Sequence, residues 1–162
     1  MSIETWKAEF YATDAEETSA HEAMDHSIVK WEGLSKKNLD RHGVRKDARD
    51  SRLTDDEGDR FSIYGGTCAL CVHFESQGEC TACSLSQARG GVRCDMQRLD
   101  ESVSPYFAFV CDSDPQPMLK WLKKAKRFEQ ARDKAAAREA AREVAAKKAA
   151  PKKAAARKRV AK

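Results

Sequence analysis

The chain has no apolar run near the ~18 residues that cross a bilayer as a helix, so nothing in it predicts a membrane span. Its opening residues, Met1-Ser2-Ile3-Glu4-Thr5-Trp6, have neither a basic start nor an apolar stretch, and predict no secretory leader. Large apolar side chains are also sparse. Alanine inflates the apolar fraction of 41%, because 15 of the 25 alanines lie in residues 118–162, where they favour helix rather than core. What remains in residues 1–117 fills only a small core, and small cores usually need a staple. Without a leader, the expected setting is the cytoplasm, where paired cysteines hold metal more often than they form disulfides.

Two further absences mark the C-terminal end. No acidic residue follows Glu143, and no aromatic follows Phe128. Charge is therefore segregated. Residues 1–117 hold 13 Lys and Arg against 22 Asp and Glu, a net of −9, whereas residues 118–162 hold 17 against 4, a net of +13. The overall +4 hides an acidic body and a basic tail. Such asymmetry points to a polyanionic partner for the tail, or to docking of tail on body.

Cysteine, by contrast, is concentrated. Five of six lie between Cys68 and Cys94, as Cys68-Ala-Leu-Cys71, Cys80-Thr-Ala-Cys83 and Cys94. A Cys-x-x-Cys turn presents two thiolates to one ion, and a second turn completes a tetrahedron, so the pattern predicts structural zinc. Cys68, Cys71, Cys80, Cys83 and Cys94, with His73 beside them, compete for about four places. An iron–sulfur cluster and a redox or disulfide pair are the other readings of these cysteines. Cys111, in Phe109-Val110-Cys111-Asp112, reads as a buried small hydrophobe. The zinc-deaminase pattern is not matched: Leu70 stands where it needs Glu, and Glu79 where it needs Pro. No catalytic residue is assigned, and a non-enzymatic protein is expected.

In chain order, residues 1–43 read as helical. Thr13 to Glu16 fits a capping box. Ala20, Met24, Ile28 and Trp31 share one helix face, Gly33 ends that helix, and Ser35 opens a shorter one. Trp6, Phe10, Met24 and Trp31 are core candidates; His21, His26 and His42 read as surface residues. Residues 44–60, with five basic and six acidic side chains, predict a flexible linker or loop. Residues 61–117 form the cysteine module. Phe61–Tyr64 and Val72–Phe74 are expected short strands, a turn is expected at Ser76-Gln77-Gly78, and Ser104-Pro105 opens a short helix. Residues 118–150 predict a long basic helix whose start, Met118, Leu122, Ala125 and Phe128, docks on the body. Pro151 is expected to stop it, leaving 151–162 as a disordered basic tail. The fold class is thus α+β, mostly α.

Lys30-Trp31-Glu32-Gly33-Leu34, the two cysteine pairs, Gly91-Val92-Arg93-Cys94 and Ser104-Pro105-Tyr106-Phe107-Ala108-Phe109 occur in an order that resembles a small cysteine-rich protein family met mostly in bacteriophages. The resemblance covers about residues 28–125. Ser84 stands where that family often has proline after the second pair, and the gap from Cys94 to Ser104 is long. The family carries no established activity. The resemblance implies a metal site and a phage origin, which would place the chain in a host cytoplasm.

The tail sequence at 149–159 is similar to linker-histone tails. The candidate nucleic-acid contacts are Lys134, Arg138, Arg142, Lys147, Lys148, Lys152, Lys153, Arg157, Lys158 and Arg159. Such residues would neutralise phosphates without reading sequence. A protein partner engaged through the acidic body or the cysteine module is the alternative.

Overall fold

The computed structural model describes residues 1–48, 50–75 and 80–160, with side chains described as far as Lys147. The chain is 56% helical with one small sheet, an α+β protein that is mostly α. It divides into two units, Met1–Lys126 and Arg127–Lys162.

The first unit begins with helix α1 (Ile3–Phe10), opened by a Ser2–Thr5 capping box. The box expected at Thr13 does not cap the next helix, whose N-cap, Glu22, has no side-chain cap bond; a Ser19–Glu22 pair lies there instead. Glu22 N–H donates to Ser19 Oγ at 3.3 Å, and Ser19 Oγ–H donates to Glu22 Oε2 at 2.6 Å, just ahead of α2 (Ala23–Gly33). The Thr13 carbonyl instead accepts from His26 Nε2 at 2.8 Å. Helix α2 buries Met24, Ile28 and Trp31, as its spacing predicts, and also Ser27 and Lys30. Ser35 then precedes α3 (Lys36–Arg41).

The expected linker at 44–60 is corrected by the fold, since an antiparallel sheet runs through it. Strands β1 (Val44–Lys46), β2 (Arg52–Asp55) and β3 (Arg60–Ser62) pair in sequence order. Composition hides this sheet because its apolar anchors are one per strand. Val44, Leu53 and the half-buried Phe61 meet the core only once register brings Leu53 opposite Phe61. Charged groups satisfy the turns. Asp55, itself buried, accepts the backbone N–H groups of Glu57 at 3.1 Å and Asp59 at 2.9 Å.

The core continues from aromatic to aromatic. Trp6 is fully buried, stands 5.5 Å from the Phe61 ring, and donates its Nε1–H to the Gly33 carbonyl at 2.9 Å. Trp31 meets Phe109 edge-on at 5.3 Å. Two of the histidines read as surface residues are half-buried ties. His26 packs on Tyr11, and His42 lies 3.0 Å from both Thr5 Oγ1 and Glu9 Oε2. His21 is exposed as expected.

Beyond a 3-10 turn at Gly65–Thr67, the unit holds α4 (Ala69–Phe74), α5 (Ser84–Ala88), α6 (Pro105–Asp112) and the start of α7 (Gln116–Val160). Val72–Phe74 is helix, not strand, because Cys68 caps a turn that continues through these residues. The expected turn at Ser76-Gln77-Gly78 lies outside the described residues. Ser104 caps α6 through Phe107 N–H at 3.3 Å with Pro105 at N1. That helix buries Pro105, Ala108 and Phe109, which turns Cys111 to solvent, contrary to the buried position expected for it. Met118, Leu122 and Ala125 are buried as expected of the start of α7.

The second unit consists of the rest of α7. Its side chains are exposed or half-exposed from Arg127 to Lys147, Phe128 among the exposed ones. The helix runs across Pro151 to Val160, so the expected stop and the coil expected over 152–160 differ from the fold. Proline removes one rung of the ladder, but alanines on both sides favour continuation.

Candidate metal centre

Three local devices bring the cysteines together. Cys68 is the N-cap of α4 and Cys71 lies in its first turn, so the pair shares one end of a helix. Cys83 N–H donates to the Cys80 carbonyl at 3.1 Å, a tight turn that ends with Cys83 as the N-cap of α5. Cys94 reaches them from a loop held to α6, where Tyr106 N–H donates to the Cys94 carbonyl at 3.1 Å. Cys68, Cys71, Cys80 and Cys94 all line one cavity of about 270 Å³. Cys83 is buried, at 6% exposure, but does not line it.

His73 is not brought to the cavity. It is exposed on α4 and bonds through Nε2 to the Thr18 carbonyl. Among the described residues, no three His, Cys, Asp or Glu side chains are positioned to hold a metal ion as they stand. The cysteines therefore share a cavity without forming a finished coordination shell.

The electrostatics of the cavity are uneven. Cys71 donates its proton toward Cys68, and with the Lys30 ammonium and the Cys71 amide this holds the Cys68 thiol well below its usual range. Cys71, as the donor in that pair, is pushed far up. Burial pushes the Cys94 thiol up to about 12, and raises Cys80 and Cys83 as well. At Cys83 the amides of Ser86 and Leu85 work the other way and favour the thiolate. Thiols brought to one cavity are a set that a soft divalent cation would deprotonate on binding. The donor chemistry fits zinc, whose structural sites use four sulfur or nitrogen ligands.

Lys30 has a place here that spacing alone did not reveal. It comes from α2, is 1% exposed, lines the cavity, and donates to the Thr67 carbonyl, one residue before Cys68. Ser27, one turn earlier, puts its Oγ 3.8 Å from Cys68 Sγ.

The proposed nucleic-acid residues fall in the second unit. Lys134, Arg138, Arg142 and Lys147 are exposed on α7, while Lys148, Lys152, Lys153, Arg157, Lys158 and Arg159 lie where only the helical backbone is described. At 3.6 residues per turn, Arg127, Lys134, Arg138 and Arg142 fall within about 80° of arc, with Glu129, Asp133 and Glu143 on the far side. No helix among the described residues is long and apolar enough to cross a membrane. Comparison with protein families, curated proteins and solved structures finds no match to this chain.

Proposed function

We propose that this chain is a small, non-enzymatic cytoplasmic zinc protein, whose cysteine module folds around one structural ion and whose basic C-terminal helix contacts nucleic acid without reading its sequence. The observation that carries the proposal is the meeting of four cysteines from three segments on one cavity: Cys68 and Cys71 from the start of α4, Cys80 from the turn before α5, and Cys94 from the loop before α6. That convergence favours Cys68, Cys71, Cys80 and Cys94 as the ligands, with Cys83 behind them. Bound zinc would supply a closed tetrahedral crosslink and no open position for chemistry.

The nucleic-acid half rests on charge. Residues 127–162 hold 13 Lys and Arg against 4 Asp and Glu, a net of +9 on a helix without large apolar faces. Each phosphate neutralised by such a helix releases counterions, so affinity falls steeply with salt. Truncation after Glu143 removes eight basic residues and no acidic one. Binding of mixed-sequence DNA or RNA, followed from low to moderate salt, should weaken, and the salt slope should fall by up to about 7. An unchanged affinity and slope would remove this half of the proposal. The second reading, a protein-interaction module, is favoured by one feature of the first unit: Met96 and Leu99 are exposed in a single loop, Leu99 entirely so. Pull-downs that survive nuclease and high salt would support it.

A further inference from the structure

Lys30 presents an imbalance within the first unit. Its ammonium is carried on α2 into a cavity lined otherwise by thiols, aromatic rings and aliphatic side chains, together with Glu75 and an Arg93–Asp95 ion pair. It is 1% exposed, and its hydrogen-bond partner is a backbone carbonyl, that of Thr67. Among the described residues it has no carboxylate partner. The other buried cation of this region, Arg89, does have one, with Nη2 2.9 Å from Glu101 Oε2. A buried ammonium without an anion is costly, and folded proteins pair such charges. An ammonium has three N–H donors, and one carbonyl leaves two to be placed. The chemistry around it that could become anionic is sulfur: Lys30 lines the same cavity as Cys68, Cys71, Cys80 and Cys94.

A divalent cation with four thiolates carries a net charge of about −2, itself unfavourable in a buried cavity. The two imbalances are complementary. We infer that Lys30 is the internal counter-charge of a tetrathiolate metal centre, a positioning residue whose ammonium donates N–H to ligand sulfurs and sets the affinity of the site. This rests on the zinc reading above. It extends that reading by giving the centre a fixed partner outside its ligand shell, supplied by a helix that contributes no ligand.

The arrangement makes a chemical distinction. A neutral Lys30, or one whose charge is unrelated to the sulfurs, would be replaceable by a side chain of similar length. A counter-charge would not. Outer partners of metal ligands typically change affinity by about 10- to 100-fold when removed.

The test uses the full-length protein as wild type, Lys30→Met, which keeps the aliphatic stem, and Lys30→Arg, which keeps the charge. Each is stripped of metal and titrated with cobalt(II) and with zinc in competition with a chelator of known affinity. Sulfur-to-cobalt charge-transfer absorbance counts the bound thiolates. The expected result is one ion and four thiolates for wild type, zinc affinity weaker by about 10- to 100-fold for Lys30→Met, and substantial recovery in Lys30→Arg. Wild-type affinity in Lys30→Met would overturn the counter-charge while leaving the metal site standing. A wild-type protein that takes up no ion would overturn the metal reading itself.

Should Lys30→Met fail to fold, the wild type decides alone. With lysine labelled at its side-chain nitrogen, zinc loading should bring out one slowly exchanging ammonium signal that the stripped protein lacks. Loaded protein without that signal would refute the inference.

Discussion

The carboxylate of Asp55 accepts the backbone N–H of Ile3 at 2.9 Å, across 52 residues of chain, and so ties the first turn of α1 to the sheet. The same side chain closes the β2–β3 turn through Glu57 and Asp59. These N–H groups, that of Ile3 foremost, hold the Asp55 carboxyl below its ordinary value. A carboxylate with a depressed folded pKa adds stability that is present above its unfolded pKa of about 3.9 and is lost as pH falls through the folded value. Asp55→Asn should therefore lower the melting temperature at pH 7, because an amide nitrogen cannot accept from Ile3 or from the turn. It should also flatten the loss of stability below about pH 4. Thermal melts of both proteins from pH 7 to pH 3 check this; parallel curves would refute it.

Gly33 lets α2 approach α1 closely at Phe10. A Cβ at that position would stand 2.5 Å from Phe10 Cγ and 2.6 Å from Phe10 Cβ, atoms too near the backbone to swing away. Gly33→Ala should destabilise the fold by about 1–3 kcal/mol through overpacking, despite the better helix propensity of alanine. Denaturant unfolding measures the difference, and a stabilised variant would show that α1 can shift freely.

Glu101 serves three donors at once. It takes Arg89 Nη2 at 2.9 Å, Trp121 Nε1–H at 2.8 Å and Arg98 N–H at 3.2 Å. The guanidinium of Arg89 is fully buried, and among the described residues its Nε and Nη1 have no hydrogen-bond partner. Glu101→Gln leaves that charge without its anion, a change that costs about 3–5 kcal/mol for buried pairs. Arg89, Arg98 and Lys124 all stand over the Trp121 ring, at 5.6, 5.3 and 4.3 Å from its centroid. Loss of the pair should therefore also change the indole emission. Unfolding curves followed by fluorescence give both readings.

The cysteines should divide into classes by zinc content and stability. Cys68→Ser and Cys71→Ser should bring bound zinc below one ion per chain and lower the melting temperature, as should chelation of the wild type. Cys94→Ser should behave like Cys80→Ser, since both line the cavity. Cys83→Ser should retain the ion. Cys111→Ser, at an exposed position, should stay within about 0.5 kcal/mol of wild type. Metal analysis of the purified variants decides. Loss of zinc in Cys83→Ser with retention in Cys94→Ser would exchange their roles.

Local chemistry was readable in the sequence where it was contiguous. Ser104-Pro105 opened α6 and Ser35 preceded α3, because a cap and its first turn are neighbours in the chain. The cysteine window was readable for the same reason, but its spacing pairs Cys83 with Cys80 and leaves Cys94 as the odd ligand, whereas the cavity is lined by Cys94 and not by Cys83. The sheet was hidden because Val44, Leu53 and Phe61 are isolated among charges, and their alignment depends on register. Lys30 was hidden because a lysine in a helix normally faces water. Only the fold brings it beside Thr67, 37 residues away.

The strands here are three or four residues long, and α3, α4 and α5 are six, six and five. None would persist by itself. They are joined by long-range ties such as Lys46 Nζ to the Val110 carbonyl at 2.7 Å and Tyr106 Oη to the Ile63 carbonyl at 2.9 Å. Such short elements are ordered together, since distant segments must meet before any of them is rewarded. They also leave no stable half-products. A protease that cuts within residues 1–126 should leave short peptides and intact protein, with little of intermediate size between them.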